Sequence, residues 1–303
     1  MAATGFSVAA AIEAGMTRAQ LRSKKYVRPF HGMRALAAPD GLLAKCHSYA
    51  PRIGNDEAFS GVTALAIWGL PRPTRWLASK HTPELLVPKS HVRDRTGGLK
   101  PRRILDARFE REEHLGLPVV PPVLAFLTAC RELTVIEATQ VADALLTDSE
   151  LYPGITALER PMATRKQLQD ARKQMKRTPG MTVLREALER MRERVESPME
   201  TVLRCKLVDA GLPEFEVQPE VKLEGGKVFR PDLGHRASNT YLDYEGGHHW
   251  SNEEIIRSDL TRSRNLSSRG ARHIRVSKDD LEGRAFDSLV AELRRRTTSP
   301  ESS

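Results

Sequence analysis

Three carboxylates lie next to two short apolar-aromatic segments in the C-terminal third of the chain. Asp232 follows Val228–Phe229 at a short distance, and Asp243 and Glu245 come directly after Tyr241–Leu242. Asp243 and Glu245 are two positions apart, so a strand would present both side chains on one face. If the two segments pair as a hairpin, Asp232 faces Asp243, and the three acids repel one another unless a cation lies between them. This spacing indicates a site for Mg²⁺ or Mn²⁺, although the same acids could form only the polar rim of a hairpin.

Two further side chains could complete such a site. Glu200 ends the sequence Ser-Pro-Met-Glu, in which Ser197 is the predicted N-cap of a helix and Glu200 closes a capping box. Glu200 therefore either caps the helix alone or also supports the acidic site. His249 follows a Gly-Gly-His turn, and its imidazole titrates near neutral pH, so it could orient or deprotonate an attacking water. A histidine packed at a turn is the alternative.

The N-terminal residues have the pattern of a small DNA-binding module. Residues 6–13 predict a helix, and Thr17–Gln20 is a capping box that starts a second, basic helix. Residues 26–36 then predict two strands turned at His31–Gly32. This order is typical of a winged helix-turn-helix, whose second helix can enter a major groove, although such modules also bind proteins. The predicted DNA contacts are Arg18, Arg22, Lys24, Lys25 and Arg28.

The central part of the chain has the pattern of a scaffold followed by a charged helical segment. Residues 41–150 alternate predicted helices and strands, which gives a mixed α/β accessory region without a nucleophile-base pair or a phosphate-binding glycine loop. Residues 151–196 carry two apolar stripes separated by Pro179–Gly180, which predicts a helical connector. Its charged face could be merely solvated or could follow DNA.

Composition restricts the class of protein and of partner. A chain of 303 residues has room for about two domains, and 48 Lys and Arg against 39 Asp and Glu give a net charge of +9, which favours DNA or another polyanion. No apolar run reaches the roughly 20 residues of a membrane helix, and a signal-peptide pattern is absent, so we expect a cytoplasmic protein. Cys46, Cys130 and Cys205 are too far apart to indicate a disulfide framework or a zinc site.

Residues 197–303 predict a compact α/β domain. Its predicted elements are a helix from Ser197, a strand over residues 215–223, a turn at 224–226, strands at Val228–Phe229 and Tyr241–Leu242, a helix from Ser251, a strand over 271–276 and a helix over 286–296. The helix from Ser251 carries Arg262 on its polar side. Arg262 could contact a phosphate or could pair with Asp259.

The N-terminal half resembles a known family. The basic helix-turn-helix, the Val-Arg-Pro-Phe-His-Gly segment at 27–32, and residues 64–71 and 116–120 resemble actinobacterial proteins with an N-terminal domain like the AbiEi-type antitoxins of type IV toxin–antitoxin systems. In those proteins this domain often precedes a C-terminal domain similar to the very-short-patch repair endonucleases of the PD-(D/E)XK nuclease superfamily. Together the two resemblances cover nearly the whole chain.

The second resemblance implies roles for the acids. It implies that Asp232 is the first metal carboxylate, that Asp243 and Glu245 occupy the two acid or lysine positions of the third strand, and that the first core helix brings Glu200 toward the metal. Glu245 departs from the general superfamily, which has lysine there, whereas related short-patch-like domains have an acid followed by glycine. The general base is therefore unassigned, and His249 is a candidate.

The sequence as a whole predicts an α/β protein with a winged helix-turn-helix (1–40), a mixed α/β accessory region (41–150), a helical connector (151–196) and a restriction-endonuclease-like α/β domain (197–303). Its predicted function is a metal-dependent DNA endonuclease or nickase that holds Mg²⁺ or Mn²⁺. The alternative is a non-catalytic DNA-binding transcriptional regulator, or antitoxin-like protein, with a degenerate nuclease fold. A structural interaction module of a phage or defence system is a third option, and a toxin partner and a homodimer stay open.

Overall fold

The computed structural model describes residues 5–76, 81–90, 97–157, 159–175, 179–223, 226, 228–246 and 270–297. These residues form a mixed α/β structure with several small sheets. The chain separates into two compact units. The first comprises Met1–Leu145 and Gly154–Glu189, and the second comprises Leu146–Pro153 and Arg190–Ser303. Most of the residues predicted as a helical connector therefore belong to the first unit.

The first unit begins with short elements around a two-stranded sheet. β1 (Phe6–Ser7) pairs antiparallel with β2 (Met33–Arg34), and a single bridge joins Val27 to Ala35 across the turn predicted at His31–Gly32. Between the strands, α1 (Val8–Glu13) starts at Ser7, whose hydroxyl accepts a backbone N–H of the first turn at 3.0 Å. The side chains of Phe6 and Tyr26 meet edge to face and hold the two sides of this region together.

α2 (Arg18–Leu21) is shorter than the sequence predicts. It begins at the predicted capping box, in which both reciprocal hydrogen bonds are present. It ends after one turn, where Arg34 Nε donates to the carbonyl oxygen of Leu21 at 2.6 Å and satisfies a free helix end. Arg22 is the C-cap, and Lys24 and Lys25 lie in the following turn. The prediction of one basic helix carrying all these cations is therefore wrong.

A five-stranded mixed sheet lies at the centre of the first unit. Its strands are β3 (Ala58–Phe59), β4 (Glu84–Pro88), β5 (Lys100–Ile104), β6 (Glu112–His114) and β7 (Leu117–Val119). The spatial order is β5-β4-β3-β7-β6, with parallel pairing between β4 and β5 and between β3 and β7. All five residues of β4 are buried, which is typical of a strand covered on both faces.

The first unit also contains helices before, between and after these strands. They are α3 (Gly41–Tyr49), α4 (Gly61–Trp68), α5 (Pro122–Ala129), α6 (Val135–Leu146), α7 (Arg165–Gln174) and α8 (Met181–Arg190). α4 is buried along its whole length and packs against α5 and β4. It ends at Gly69 as predicted, because φ there is +69° and a Cβ would collide with the Gly154 carbonyl oxygen.

The second unit combines helices, a four-stranded mixed sheet and a separate hairpin. Its elements are α9 (Pro198–Asp209), β8 (Glu216–Val217), β9 (Val221–Lys222), β10 (Val228–Phe229), β11 (Leu233–His235), β12 (Thr240–Tyr244), β13 (Arg272–Val276) and α10 (Gly283–Thr297). The sheet has the order β13-β12-β11-β8, and β9 pairs with β10 alone. β12 and β13 run parallel, whereas β11 is antiparallel to both of its neighbours.

Strand alternation divides the apolar residues of β12 between two clusters. Leu242 belongs to the main core, in which both helices pack on the sheet through residues such as Leu203 and Leu293. Tyr241 belongs to a smaller cluster with Phe229 of the separate hairpin. Side chains at odd-numbered positions of β12 therefore lie on the face that the hairpin approaches.

The hairpin that carries Asp232 differs from the prediction in one strand. Val228–Phe229 pairs with Val221–Lys222 across the predicted turn, but the antiparallel partner of β12 is β11, with Leu233 opposite Leu242. Gly234 lies in β11. A Cβ at this position would meet Pro219 Cγ at 2.6 Å and Tyr241 Cδ1 at 2.8 Å, so glycine permits this close approach. Asp232 therefore precedes the strand that pairs with β12 and does not follow it.

The strand predicted over residues 215–223 is also divided. β8 and β9 belong to different sheets, and the chain between them contains Gln218 with φ of +47° and Pro219. Neither residue continues a regular ladder, since the first adopts a left-handed backbone and the second lacks an N–H group. The break lets the sequence supply an edge strand and then a separate hairpin.

Two expectations about the whole chain concern cysteines and membranes. Cys46, Cys130 and Cys205 are buried free thiols, as predicted from their spacing. Within the part of the chain that the structure describes, none of the helices is both long enough and apolar enough to span a bilayer.

Candidate carboxylate site

Asp232 and Asp243 lie opposite each other at the edge of the sheet in the second unit. The pairing of Leu233 with Leu242, continued by one residue, places them side by side. Asp243 Oδ1 accepts the Asp232 N–H at 3.0 Å, and Asp232 Oδ2 accepts the Tyr244 N–H at 2.7 Å. The side chains thus complete the hydrogen bonding of the two strand ends. This exchange fixes both carboxylates relative to the backbone.

Glu200 comes to the same place from the first turn of α9. Ser197 Oγ accepts the Glu200 N–H at 3.2 Å, which is the predicted N-cap interaction. The Glu200 carboxylate accepts the N–H of Glu196 at 3.0 Å, one residue before the group expected in a capping box. The side chain is only 5% exposed. Glu200 therefore caps the helix and also contributes a buried carboxylate to the site.

Burial and mutual repulsion alter the protonation of two of these acids. Burial, together with the negative charges of Glu200 and Asp243, raises the pKa of Asp232 to about 8. Burial likewise raises the pKa of Glu200 to about 7, against the opposing effect of its hydrogen bonds to Glu196 and Ser197. Among the described residues, no cation pairs with either carboxylate. Both therefore retain protons to a considerable extent near neutral pH.

His273 is the member of the site that the sequence did not reveal. It lies on β13 with a side chain 6% exposed, and its Nε2 is 2.8 Å from Asp243 Oδ2. Its ring packs edge to face on Phe229 of the separate hairpin, with ring centroids 5.4 Å apart. With Nε2 protonated, the imidazole donates to the carboxylate. Both oxygens of Asp243 thus accept hydrogen bonds from the protein.

Glu245 forms a second cross-strand pair beyond Asp243. Its Oε1 lies 3.0 Å from an Arg275 guanidinium nitrogen, and its N–H donates to the Val276 carbonyl oxygen at 2.8 Å. His273 and Arg275 alternate along β13 as Asp243 and Glu245 alternate along β12. The only sequence signal for these partners is this shared two-residue spacing in a predicted strand. It becomes informative only once β12 and β13 are known to be neighbours.

Two of the predicted site residues cannot be placed. His249 and Arg262, together with the helix predicted from Ser251, lie outside the described residues. Across the described ranges, His, Cys, Asp and Glu side chains do not form a group of three or more that could hold a metal ion. The structure nevertheless brings Glu200, Asp232 and Asp243 together. Asp232 has one carboxylate oxygen that accepts no hydrogen bond from the described residues, whereas the Glu200 carboxylate has hydrogen bonds to both Glu196 and Ser197.

The predicted DNA contacts lie in the first unit and are exposed. They are Arg18, Arg22, Lys24, Lys25 and Arg28. Lys25 Nζ lies 5.7 Å from the centre of the Tyr26 ring, so its ammonium is partly held by a cation–π contact. The remaining side chains extend from α2, its C-cap and the strand region that follows. All five cations are therefore accessible to a polyanion.

Comparison with known proteins gives a distant relationship without an assigned activity. No family model matches the chain, and no solved structure matches it. Two uncharacterized proteins of Mycobacterium tuberculosis, MT2308 of strain CDC 1551 / Oshkosh and Rv2248 of strain ATCC 25618 / H37Rv, are each 27% identical over 271 residues. The match covers 88% of this chain and 92% of each relative. Because this length exceeds that of either unit, the similarity extends into both.

Proposed function

We propose that the protein is a metal-dependent DNA endonuclease or nickase. The observation that carries the proposal is the convergence of Glu200, Asp232 and Asp243 from three separate elements of one small sheet unit. Proteins seldom keep like charges together in a buried place without a use for them, because each such charge destabilises the others. Phosphodiester hydrolysis by a divalent cation is a use that suits oxygen ligands.

The arrangement also supports the restriction-endonuclease-like fold proposed for residues 197–303. The resemblance implies a glutamate on the first core helix and acids on the third strand, and here Glu200 starts α9 and Asp243 lies on β12. Asp232 departs slightly, since it precedes β11. The winged helix-turn-helix at 1–40, the accessory region at 41–150 and the connector at 151–196 stand as parts of the same proposal.

Two of the carboxylates, those of Asp232 and Glu200, suit a hard cation such as Mg²⁺. Glu200 is buried, Asp232 is partly buried, and both are oxygen donors with raised pKa values, so both must release their protons before they can act as ligands. When bound, Mg²⁺ or Mn²⁺ would polarise a phosphoryl oxygen, activate a water and stabilise charge on the leaving oxygen. Asp243 can keep its hydrogen bond to His273 while another lone pair faces the ion, whereas Glu245, held by Arg275, would have to change partners to become a ligand.

The roles of the remaining residues follow from this assignment. His273 orients Asp243 through the hydrogen bond to Nε2, as partners of a metal ligand often do. His249 is the proposed group that orients or deprotonates the attacking water, and Arg262 is the proposed phosphate contact. Arg18, Arg22, Lys24, Lys25 and Arg28 are the proposed DNA contacts of the first unit.

A non-catalytic DNA-binding regulator is the second candidate. It is favoured by the two hydrogen bonds that occupy Asp243 and by the lack, among the described residues, of three side chains placed to hold a metal. In such a protein the acids would only join the strand ends. The exposed cations of residues 18–28 would then carry the whole function.

Cleavage of a supercoiled plasmid separates the two candidates. The wild type should nick or cut the plasmid with Mg²⁺ or Mn²⁺ and not with EDTA, and Asp232→Asn should lower the rate by at least about 100-fold. Asp287→Asn removes the same charge from an exposed position on α10 and should leave the rate unchanged. Cleavage that survives in Asp232→Asn would point to a contaminating nuclease.

A binding measurement covers the case in which the cognate DNA sequence is missing from the plasmid. Millimolar Mg²⁺ should raise the melting temperature of the wild type, since a ligand that binds only the folded state stabilises it by mass action. Asp232→Asn should show a much smaller rise. Identical melting curves for the wild type with and without the ion, together with intact plasmid, would favour the regulator.

A further inference from the structure

A second candidate site lies in the first unit. It is a cavity of about 350 Å³ beside β4 and β5. This cavity, the basic cavity, is lined by the basic side chains of Lys89, Arg102, Arg103, Arg108 and Arg131. The volume falls at the lower end of the roughly 300–1,000 Å³ typical of small-molecule sites.

The cations of the basic cavity outnumber the acids that pair with them. Glu132 pairs with Arg102 at 2.9 Å and with Arg131 at 3.6 Å, and the buried Glu84 lies 3.9 Å from Arg102. Arg108 instead contacts the Met175 sulfur at 3.9 Å. Among the described residues, the lining itself contains no carboxylate. The cavity therefore carries a net positive charge that an anion would neutralise.

Hydrogen-bonding geometry supports an anionic ligand. Among the described residues, the buried Arg102 Nε lies 3.9 Å from Glu84 Oε2, beyond hydrogen-bond distance, and makes no hydrogen bond, which costs free energy unless a ligand or water supplies an acceptor. Arg103 donates to the Lys89 carbonyl oxygen at 2.9 Å, so this hydrogen bond joins the end of β5 to the residue after β4. Guanidinium groups bind phosphate oxygens through paired N–H donors, which ammonium groups cannot do as well.

The rest of the lining is apolar. Leu86 and Ile104 are buried, Leu105 is 44% exposed, and Met175 completes this side. An inorganic phosphate would leave these side chains uncovered. A phosphate attached to a flat or apolar group would contact them and bury their surface. Arginine planes also stack on nucleobases.

We propose that the basic cavity binds a nucleoside phosphate, with the phosphate held by the arginines and the nucleoside against Leu105 and Met175. The volume of the cavity suits one nucleotide and is too small for a duplex. The same chemistry could come from a free nucleotide or from the phosphorylated end of a DNA strand. The site is independent of the carboxylates in the second unit.

Calorimetric titration of the full chain tests the proposal. The probes are thymidine 5′-monophosphate, thymidine, inorganic phosphate and a short duplex with and without a 5′-phosphate. The monophosphate should bind at least about tenfold more tightly than thymidine or inorganic phosphate. Arg108→Gln should weaken it about tenfold, since a charge-assisted contact is lost, and Lys89→Gln should weaken it in the same direction.

Lys173→Gln is the matched control, because it removes one cation from α7 of the same unit, where Lys173 is exposed and paired with Asp170. It should leave the affinity unchanged, as should Asp232→Asn in the other unit. Equal weakening by Lys173→Gln, equal affinity for thymidine and its monophosphate, or no binding of any phosphate probe would overturn the proposal. Tighter binding of the 5′-phosphorylated duplex than of the same duplex without the 5′-phosphate would identify a strand end as the source.

Discussion

The acids of the second unit differ in how their charges are compensated. Asp243 and Glu245 have basic partners on β13, namely His273 and Arg275. Asp232 accepts a backbone N–H, Glu200 has hydrogen bonds to Glu196 and Ser197, and burial with neighbouring negative charge raises the pKa of each. Of these four acids, two therefore have basic partners and two favour either a proton or a cation. This difference makes Asp232 and Glu200 the informative positions for experiment.

The first prediction concerns pH and stability without divalent ions. The folded pKa values of Asp232 and Glu200, about 8 and about 7, lie above the ordinary values of 3.8 and 4.5. The folded chain therefore holds protons that the unfolded chain has released, so these groups stabilise the fold at low pH and this stability is lost as the pH rises toward 8. Melting temperature measured between about pH 5 and about pH 9 should fall, and Asp232→Asn should flatten the decline. An equal slope in both proteins would contradict the raised pKa of Asp232.

The second prediction concerns His273. His273→Ala should lower the free energy of unfolding by about 1–3 kcal/mol, because a buried hydrogen bond to a carboxylate and the contact with Phe229 are both lost. His273→Gln keeps an N–H donor and should cost less. Urea denaturation of both variants gives the values. If both substitutions cost the same, the packing of the ring and not its hydrogen bond would be the main contribution.

At the scale of one element, the start of α9 serves both the fold and the site. The N-cap Ser197, the proline that follows it and Glu200 three residues after the cap fix where the helix begins. Because the carboxylate of Glu200 lies one turn inside that end, the cap also decides where the charge is placed. A local sequence pattern thus positions a residue whose importance comes from distant strands.

The third prediction separates these two contributions. Ser197→Ala should cost about 1 kcal/mol of stability through loss of the cap. Glu200→Gln keeps an acceptor for the Glu196 N–H and removes a repelled charge, so it should leave the fold equally or more stable above about pH 7. Thermal unfolding of both variants near pH 8 is the measurement. A large loss of stability in Glu200→Gln would indicate that the negative charge itself has a stabilising partner.

At the scale of the whole molecule, the excess of basic residues includes two separate groups in the first unit. The exposed cations at positions 18–28 form one group, and the helices α7 and α8 carry another on their polar faces. Either group could contact a polyanion. Net charge alone does not choose between them, because it acts on the association as a whole.

The fourth prediction chooses between these groups. Duplex DNA binding should weaken with salt, and the combined substitution of Arg22, Lys24 and Lys25 by Gln should reduce the slope of log K against log salt by up to about 3. Substituting Lys166, Lys173 and Arg185 by Gln removes the same charge from α7 and α8 and should change the slope less. Fluorescence anisotropy over a salt series gives both slopes. A larger effect of the second set would assign DNA contact to the charged helices.

The sequence by itself determined the features that depend on near neighbours. The capping box at Thr17 and the N-cap at Ser197 each involve groups within a few residues, so residue type and spacing suffice. The alternation of Asp243 and Glu245 on one face is equally local. Even the opposition of Asp232 and Asp243 could be anticipated, because a hairpin joins them.

Tertiary structure decided everything that depends on which elements become neighbours. Asp232 was expected at the end of the strand that pairs with β12. It lies instead between β10 and β11, directly before the strand that pairs with β12, and Gly234 of that strand allows the close approach of Tyr241 and Pro219. His273 joins the acids because β13 pairs in parallel with β12. The residue spacing within each strand does not indicate which distant segment it will pair with. The basic cavity likewise draws residues from both strands and helices that the sequence keeps far apart. Local chemistry sets where each element starts and ends, whereas long-range packing sets which side chains meet.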